Sequence, residues 1–371
     1  MLIKTDCRKF PGDRPCKPHK ERGKVCETCD EYLPVKHKTL LIKLDAIGDV
    51  LRTTCILPSI KKKFPDTEIK WLTKRNAEDL FINNELVNEV LIYEEPGTII
   101  KLSVEEFDLV INLDPSPLSS AIAGYSRGKV KYGFGFNSKG KVYPFNIEAQ
   151  EWFEMGAFDY LKKANKKTYQ QIIHEICSFE YNKQEIILNL DNNHIRFRDN
   201  FIEKNNLGDY KLIIGINASA SNRWQFKKWR FEGYFELLKK ISSTYKCKIL
   251  LYGGPDAAEI NKKLLKAGEN IIDTGSNNIL RQFIALMDIP HILITGDTLA
   301  LHVATALKKK VICLLGPTSS TEIEDYGRIT KIIPDMDCLV CYKNTCDFNP
   351  NCMDLISVDM VFNALKKLID K

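Results

Sequence analysis

The sequence predicts an α/β protein made of two doubly wound parallel-sheet units in tandem, and three observations carry that prediction. Strand-length apolar runs alternate with segments of helical period twice along the 371 residues. A polar stretch at 182–206, with little core potential, separates the two series as an interdomain connection. Turns rich in Gly, Asp and Ser follow several strand ends, where open parallel sheets bind their ligands. Composition agrees: 44% hydrophobic and 27% charged residues, with 20 Gly and 15 Pro, is ordinary globular usage and excludes collagen-like, disordered and coiled-coil chains.

In the first series, residues 39–44 (TLLIKL) read as a strand, the following DAIGD as a tight turn, and 50–63 as a helix stopped by FPD. A strand at 68–72, a helix at 76–83, strands at 89–93 and 107–113 and a helix at 168–178 follow. The second series runs strand 211–216, helix 231–245, strand 248–252, helix 256–267, strand 270–273, helix 280–287, strand 291–295, helix 300–307 and strand 311–315. The expected division is a Cys-rich segment at 1–37, a first unit at 38–181, a second at 207–357, and a last helix at 358–371 placed back across the first unit. Two such sheets leave a cleft between their facing strand ends.

Charge and hydropathy narrow the partners. Net charge is +6, from 54 basic and 48 acidic residues, and the excess lies in short lysine runs at 61–63, 162–167 and 308–310. These are solvated helix faces, or a weak pull toward phosphate-bearing substrates and anionic lipid. No finger, homeodomain or RNP pattern accompanies them, so nucleic acid is not an expected partner. The best apolar stretch, 290–307, is interrupted by Asp297 and His302, which argues against a membrane span. The polar N-terminus lacks the apolar core of a signal peptide, so the expected location is the cytoplasm.

Of the 12 cysteines, eight fall in two clusters, and Cys55, Cys177, Cys247 and Cys313 stand singly in apolar surroundings. Cys7, Cys16, Cys26 and Cys29 lie in a Gly-, Pro- and Lys-rich segment that cannot fold on its own apolar surface. One structural zinc held by four thiolates would supply the order, with free thiols in a loose tail as the alternative. His19 or His37 can stand in for a sulfur there. Cys338, Cys341, Cys346 and Cys352 can ligate one ion, pair as disulfides, or form a loop that binds nothing.

Four segments carry chemistry. Gly48 sits in the first turn with Asp45 and Asp49 beside it, permitting a close approach or a positive φ. Asp49 is either a helix cap or a general base. Beyond strand 211–216, Arg223 and Lys227 suit a phosphate ester; a basic surface loop is the plainer reading. Gly253 and Gly254 lack the Gly-x-Gly-x-x-Gly fingerprint and the phosphate-loop lysine, which argues against a dinucleotide dehydrogenase or P-loop NTPase. Asp297, Thr298, Leu299 and Ala300 open a helix whose N–H groups suit an anion, with His302 one turn on. Asp297 is read there either as a cap or as part of the site.

Three of these stretches, IKLDAIGDVLRTT, KKWRFEGYFELL, and GDTLALHVATAL followed by LLGPT, together resemble glycosyltransferase family 9, the lipopolysaccharide heptosyltransferases and their relatives. The resemblance implies a GT-B fold of two facing Rossmann-like domains, acceptor on the first and sugar nucleotide on the second. It implies inverting transfer that needs no catalytic metal, from a nucleoside-diphosphate sugar to a glycan or glycolipid acceptor at the inner face of the membrane. By the same resemblance Asp49 is the base, Lys227 the phosphate-binding lysine, Asp297 and Thr298 the pair opening the phosphate helix, and His302 the motif's histidine. Leu299 departs from the family's usual Gly, and Ala257 falls about where its ribose-binding Glu would be. A sugar-nucleotide epimerase of the same fold and a non-catalytic sugar-nucleotide-binding protein are the alternatives.

Overall fold

The computed structural model describes residues 2–219 and 226–370. Its strands are β1 His37–Ile42, β2 Thr67–Thr73, β3 Glu89–Ile92, β4 Glu106–Asn112, β5 Arg127–Phe136, β6 Val142–Pro144, β7 Ile213–Asn217, β8 Lys248–Tyr252, β9 Ile271–Asp273, β10 Ile292–Gly296, β11 Lys310–Leu314 and β12 Ile329–Ile332. They form two six-stranded sheets, ordered β3-β2-β1-β4-β5-β6 and β12-β11-β10-β7-β8-β9. Every pairing is parallel except β5 with β6. Central strands are buried on both faces, so Leu40, Leu41 and Ile42 in β1 and Leu293 and Ile294 in β10 read as continuous apolar runs. These are the two Rossmann-like α/β domains of a GT-B architecture.

Chain order reverses beside β1, between β2 and β4, and beside β7, between β8 and β10. Those switch points open a crevice at the carboxyl ends of the central strands. The turns after β1, β7 and β10 therefore point at one another. They are pressed together by helices Ile47–Thr53 and Leu299–Ala306, which pack across the two domains.

Several elements differ from the sequence reading, each for a physical reason. The single helix at 50–63 is two, Ile47–Thr53 and Leu57–Lys63, joined by a 3-10 turn at Thr54–Ile56; Pro58 lacks the N–H that continuity would need. Residues 76–83 form a 3-10 turn, Arg75–Phe81, rather than an α-helix. The stretch between 113 and 168, to which the sequence reading assigns no element, holds helices Pro117–Tyr125, Ile147–Ala157 and Asp159–Ala164 with β5 and β6. The polar stretch at 182–206 is no bare linker. Ile186 is buried, and helix Asn192–Lys204, capped by Asp191, packs on helix Leu280–Met287.

The last helix, Val358–Ile369, does not lie back on the first unit. Its Val361, Phe362 and Leu365 join Leu237, Leu238 and Ile241 of helix Phe231–Thr244 in the core of the second. No helix of the described residues is long and apolar enough to cross a membrane.

Among the described residues no group of three or more His, Cys, Asp or Glu side chains is arranged to hold a metal ion. The segment with Cys7, Cys16, Cys26 and Cys29 carries polar contacts of its own. Glu31 pairs with Lys9 and Arg22, Tyr32 donates to Asp6, and Arg8 donates to the Asp66 carbonyl at 2.7 Å. In the second quartet, burial and then the nearness of Cys341, Cys338 and Cys346 push the Cys352 thiol up to about 11.

Candidate active site

A cleft of about 890 Å³ lies between the domains, within the usual size of a ligand site. Asp45, Gly48, Asp49, Lys227, Gly253, Gly254, Asp297, Thr298, Leu299, Ala300 and His302 all line it. Arg223 lies outside the described residues.

On the first wall Asp49 occupies the third position of helix Ile47–Thr53 and lines the cleft while it caps the helix. One oxygen accepts from the Ala46 N–H at 3.4 Å, which caps the helix; the other pairs with Arg52 Nη2 at 2.8 Å on the cleft side. The Arg52 guanidinium lies 3.8 Å over the Tyr169 ring, and the Tyr169 and Thr53 hydroxyls share a 2.6 Å hydrogen bond. Burial alone would raise the Asp49 carboxyl; the charges of Arg52 and Lys43, then His302 when protonated, and the Ala46 N–H hold it at about 2. Asp45 is tied to Lys74 at the rim. Gly48 is needed for close approach, not for a positive φ. A Cβ there would stand 2.7 Å from His302 Cδ2.

On the second wall Thr298 is the N-cap of helix Leu299–Ala306, so Asp297 is not the cap. Asp297 instead pairs with Lys227 Nζ at 3.0 Å, and that charge outweighs burial and lowers its carboxyl. Asn217, at the end of β7, donates from Nδ2 to Thr298 Oγ1 at 3.3 Å and to Thr295 Oγ1 at 3.2 Å, fixing the turn. The first N–H groups of the helix and the Lys227 ammonium suit an anion. Burial, helped by Arg52, lowers His302 to about 4 against the pull of Asp297 and Asp49. The imidazole is therefore neutral at pH 7, and its 3.9 Å approach to Asp297 is not an ion pair.

Sequence reasoning missed Arg52, Glu322 and Tyr342, which also line the cleft. Arg52 had a usable signal, since a cation three residues after a carboxylate shares its helix face. Tyr342 arrives from the Cys338–Cys352 loop, which is laced to the rim: Val340 N–H donates to the Gly316 carbonyl at 3.2 Å and Tyr342 N–H to the Pro317 carbonyl at 2.9 Å. No local pattern announces such a contact.

Known proteins of similar sequence and shape agree with this architecture. The family model described as glycosyltransferase family 9 (heptosyltransferase) matches residues 99–351. Lipooligosaccharide heptosyltransferase 2 of Campylobacter jejuni is 21% identical over 336 residues, which cover 87% of this chain and 96% of that protein. A family 9 glycosyl transferase from Veillonella parvula superposes with a TM-score of 0.69 at 18% identity, over 90% of this chain and 97% of its own. The ADP-heptose lps heptosyltransferase II of E. coli gives a TM-score of 0.63 at 16% identity, over 89% of this chain and 98% of its own.

Proposed function

Since this chain belongs to glycosyltransferase family 9 and is a glycosyltransferase, we propose that it moves a heptose-like sugar from a nucleoside-diphosphate donor to a hydroxyl of a lipopolysaccharide-type glycan or glycolipid, with inversion and without a catalytic metal. One observation carries this reading. A carboxylate from the first domain, Asp49, and a cation with a helix start from the second, Lys227 and Thr298–Ala300, line a single cleft large enough for a nucleotide sugar.

In the proposed reaction the acceptor hydroxyl oxygen forms a bond to the anomeric carbon while the bond from that carbon to the diphosphate oxygen breaks. The electron pair leaves with the diphosphate, and the hydroxyl proton passes to Asp49. A carboxylate held near 2 serves because the proton becomes acidic only as the oxygen bonds to carbon. Lys227 and the N–H groups at the helix start meet the charge on the leaving diphosphate. Such a phosphate competes with Asp297 for the Lys227 ammonium. The neutral His302 lines the same wall without adding charge. The setting we propose is the cytoplasmic face of the membrane, where the lysine runs favour an anionic lipid surface.

The test is incubation with ADP-heptose, the donor named for the E. coli neighbour, and a lipopolysaccharide core truncated before its heptoses. The expected result is one added heptose by mass, in the anomeric configuration opposite to the donor's, at an unchanged rate in EDTA. Heptose release without transfer, across a panel of such acceptors, counts against the reading.

A further inference from the structure

Glu322 is a carboxylate of the cleft that the proposed reaction leaves unused. Glu322 lies on the loop after β11, and both domains fix its backbone: its carbonyl accepts from the Tyr169 N–H at 3.0 Å, and its N–H donates to Ser319 Oγ at 3.4 Å. The carboxylate Oε1 accepts from the Tyr342 hydroxyl at 3.2 Å, and that hydroxyl accepts in turn from the Ser319 N–H at 3.2 Å. Lys162 of the first domain stands 5.0 Å over the Tyr342 ring, so the tyrosine is wedged at the seam between the domains.

We propose that Glu322, aimed by Tyr342, is a sugar-binding residue whose second carboxylate oxygen accepts a hydrogen bond from a hydroxyl of the sugar held beside Asp49 and Arg52. The inference rests on the glycosyltransferase reading above and adds a specificity determinant to it.

The argument is one of incomplete compensation. Among the described residues, the Tyr342 hydroxyl is the only hydrogen-bond partner of the Glu322 carboxylate, and no ion pair reaches it. A half-buried carboxylate with one neutral donor is poorly compensated for the water it has lost. Burial accordingly raises its pKa, with Asp297 and Asp49 pushing the same way and Arg52 and Tyr342 opposing. The site therefore gains from a guest that brings a donor. Asp45, Asp49, Asp256 and Asp297 line the same cleft, and the charges of Asp297 and Asp49 reach Glu322, so Glu322 disfavours a phosphate beside it. A neutral molecule bearing several hydroxyls satisfies Oε2 without a charge conflict. The sugar on either side of the new bond, donor or acceptor, offers that chemistry.

The experiment uses the full chain and the variant Glu322→Gln, which keeps the shape and removes the charge. Binding of ADP and of ADP-heptose is measured by calorimetry, and KM for the truncated core acceptor by mass-resolved kinetics. ADP affinity within twofold of the parent, with ADP-heptose affinity about tenfold weaker, supports contact with the donor sugar. Both affinities unchanged, with acceptor KM raised about tenfold, supports contact with the acceptor sugar. All three unchanged overturns the proposal. Tyr342→Phe is the gentler second variant, expected to shift the same constant by a few-fold; it decides the matter if Glu322→Gln does not fold. A parent that neither binds ADP-heptose nor adds heptose to any core acceptor defeats the glycosyltransferase substrate reading instead.

Discussion

Across the cleft, two strand-to-helix turns each present an aspartate held by a cation, but the cations come from different distances. After β1, Asp49 is paired with Arg52 of its own helix, three residues on. After β10, Asp297 is paired with Lys227, which is 70 residues away in the chain and on a separate loop. The first pair is locked: one helix carries both partners, and the Tyr169 ring lies against the arginine. The second joins two separate segments, so on the proposed function a phosphate competes with Asp297 for the ammonium. The difference teaches how one local design suits the two tasks proposed above, a fixed proton acceptor on one wall and a releasable anion grip on the other.

The largest effect that sharpens this contrast is expected from Asp49→Asn. Heptose transfer should fall by roughly 10²–10⁴-fold, the usual reach of a general base. ADP affinity should stay within twofold, since Asp49 lies on the opposite wall. A parallel fall in both, read by calorimetry and product assay, breaks the division of labour. Lys227→Ala comes next. Here ADP affinity and turnover should fall together, with about 2.7–4 kcal/mol lost from the transition state, as for removal of one preorganised donor. Unchanged ADP binding in this variant would remove Lys227 from the anion grip.

The unequal legibility of the two walls follows from the same contrast. Asp49, Gly48, Asp297 and Thr298 sit in turns between an apolar strand and a helix, so local chemistry marks them. The parallel centres of both sheets were legible because their strands are apolar on both faces, whereas the outer strands β5, β6 and β12 were not read. Glu322 and Tyr342 reach the cleft through loops tied by distant backbone bonds, and sequence spacing carries no trace of that. Helix Asn192–Lys204 was hidden by its polarity. Its start is held instead by long-range contacts, with the buried Arg281 guanidinium donating to the Asn189 carbonyl at 2.6 Å and to Asp191 at 3.2 Å.

His302, which stands between the two carboxylates, sets a pH limit on the whole arrangement. Its ordinary value is 6.5 and its folded value about 4, so below 6.5 the unfolded chain binds a proton that the native one refuses. The contribution is complete above that pH and is lost as pH falls toward 4, by up to about 3 kcal/mol. His302→Gln should reduce the slope of urea-unfolding stability across that window, leaving the part due to His37 and His174, which burial also lowers, and should not alter the pH dependence above it. An unchanged slope in the variant would mean that the imidazole is not held neutral between Asp49 and Asp297.

The smallest expected effect tests whether the two walls must touch. In Gly48→Ala the new methyl would stand 2.7 Å from His302 Cδ2 and 3.6 Å from the Leu299 Cα. The second distance is ordinary contact; the first is a clash with a ring that is itself only 12% exposed and has little room to turn. Relief therefore comes from helices Ile47–Thr53 and Leu299–Ala306 moving apart, at a cost of about 1–3 kcal/mol. The separation pulls Asp49 away from a sugar still gripped by the second wall. Thermal unfolding should shift down by a few degrees, and transfer should slow severalfold while ADP affinity holds. If stability falls but the transfer rate does not, the ring has yielded instead of the helices, and contact between the walls is a matter of packing alone.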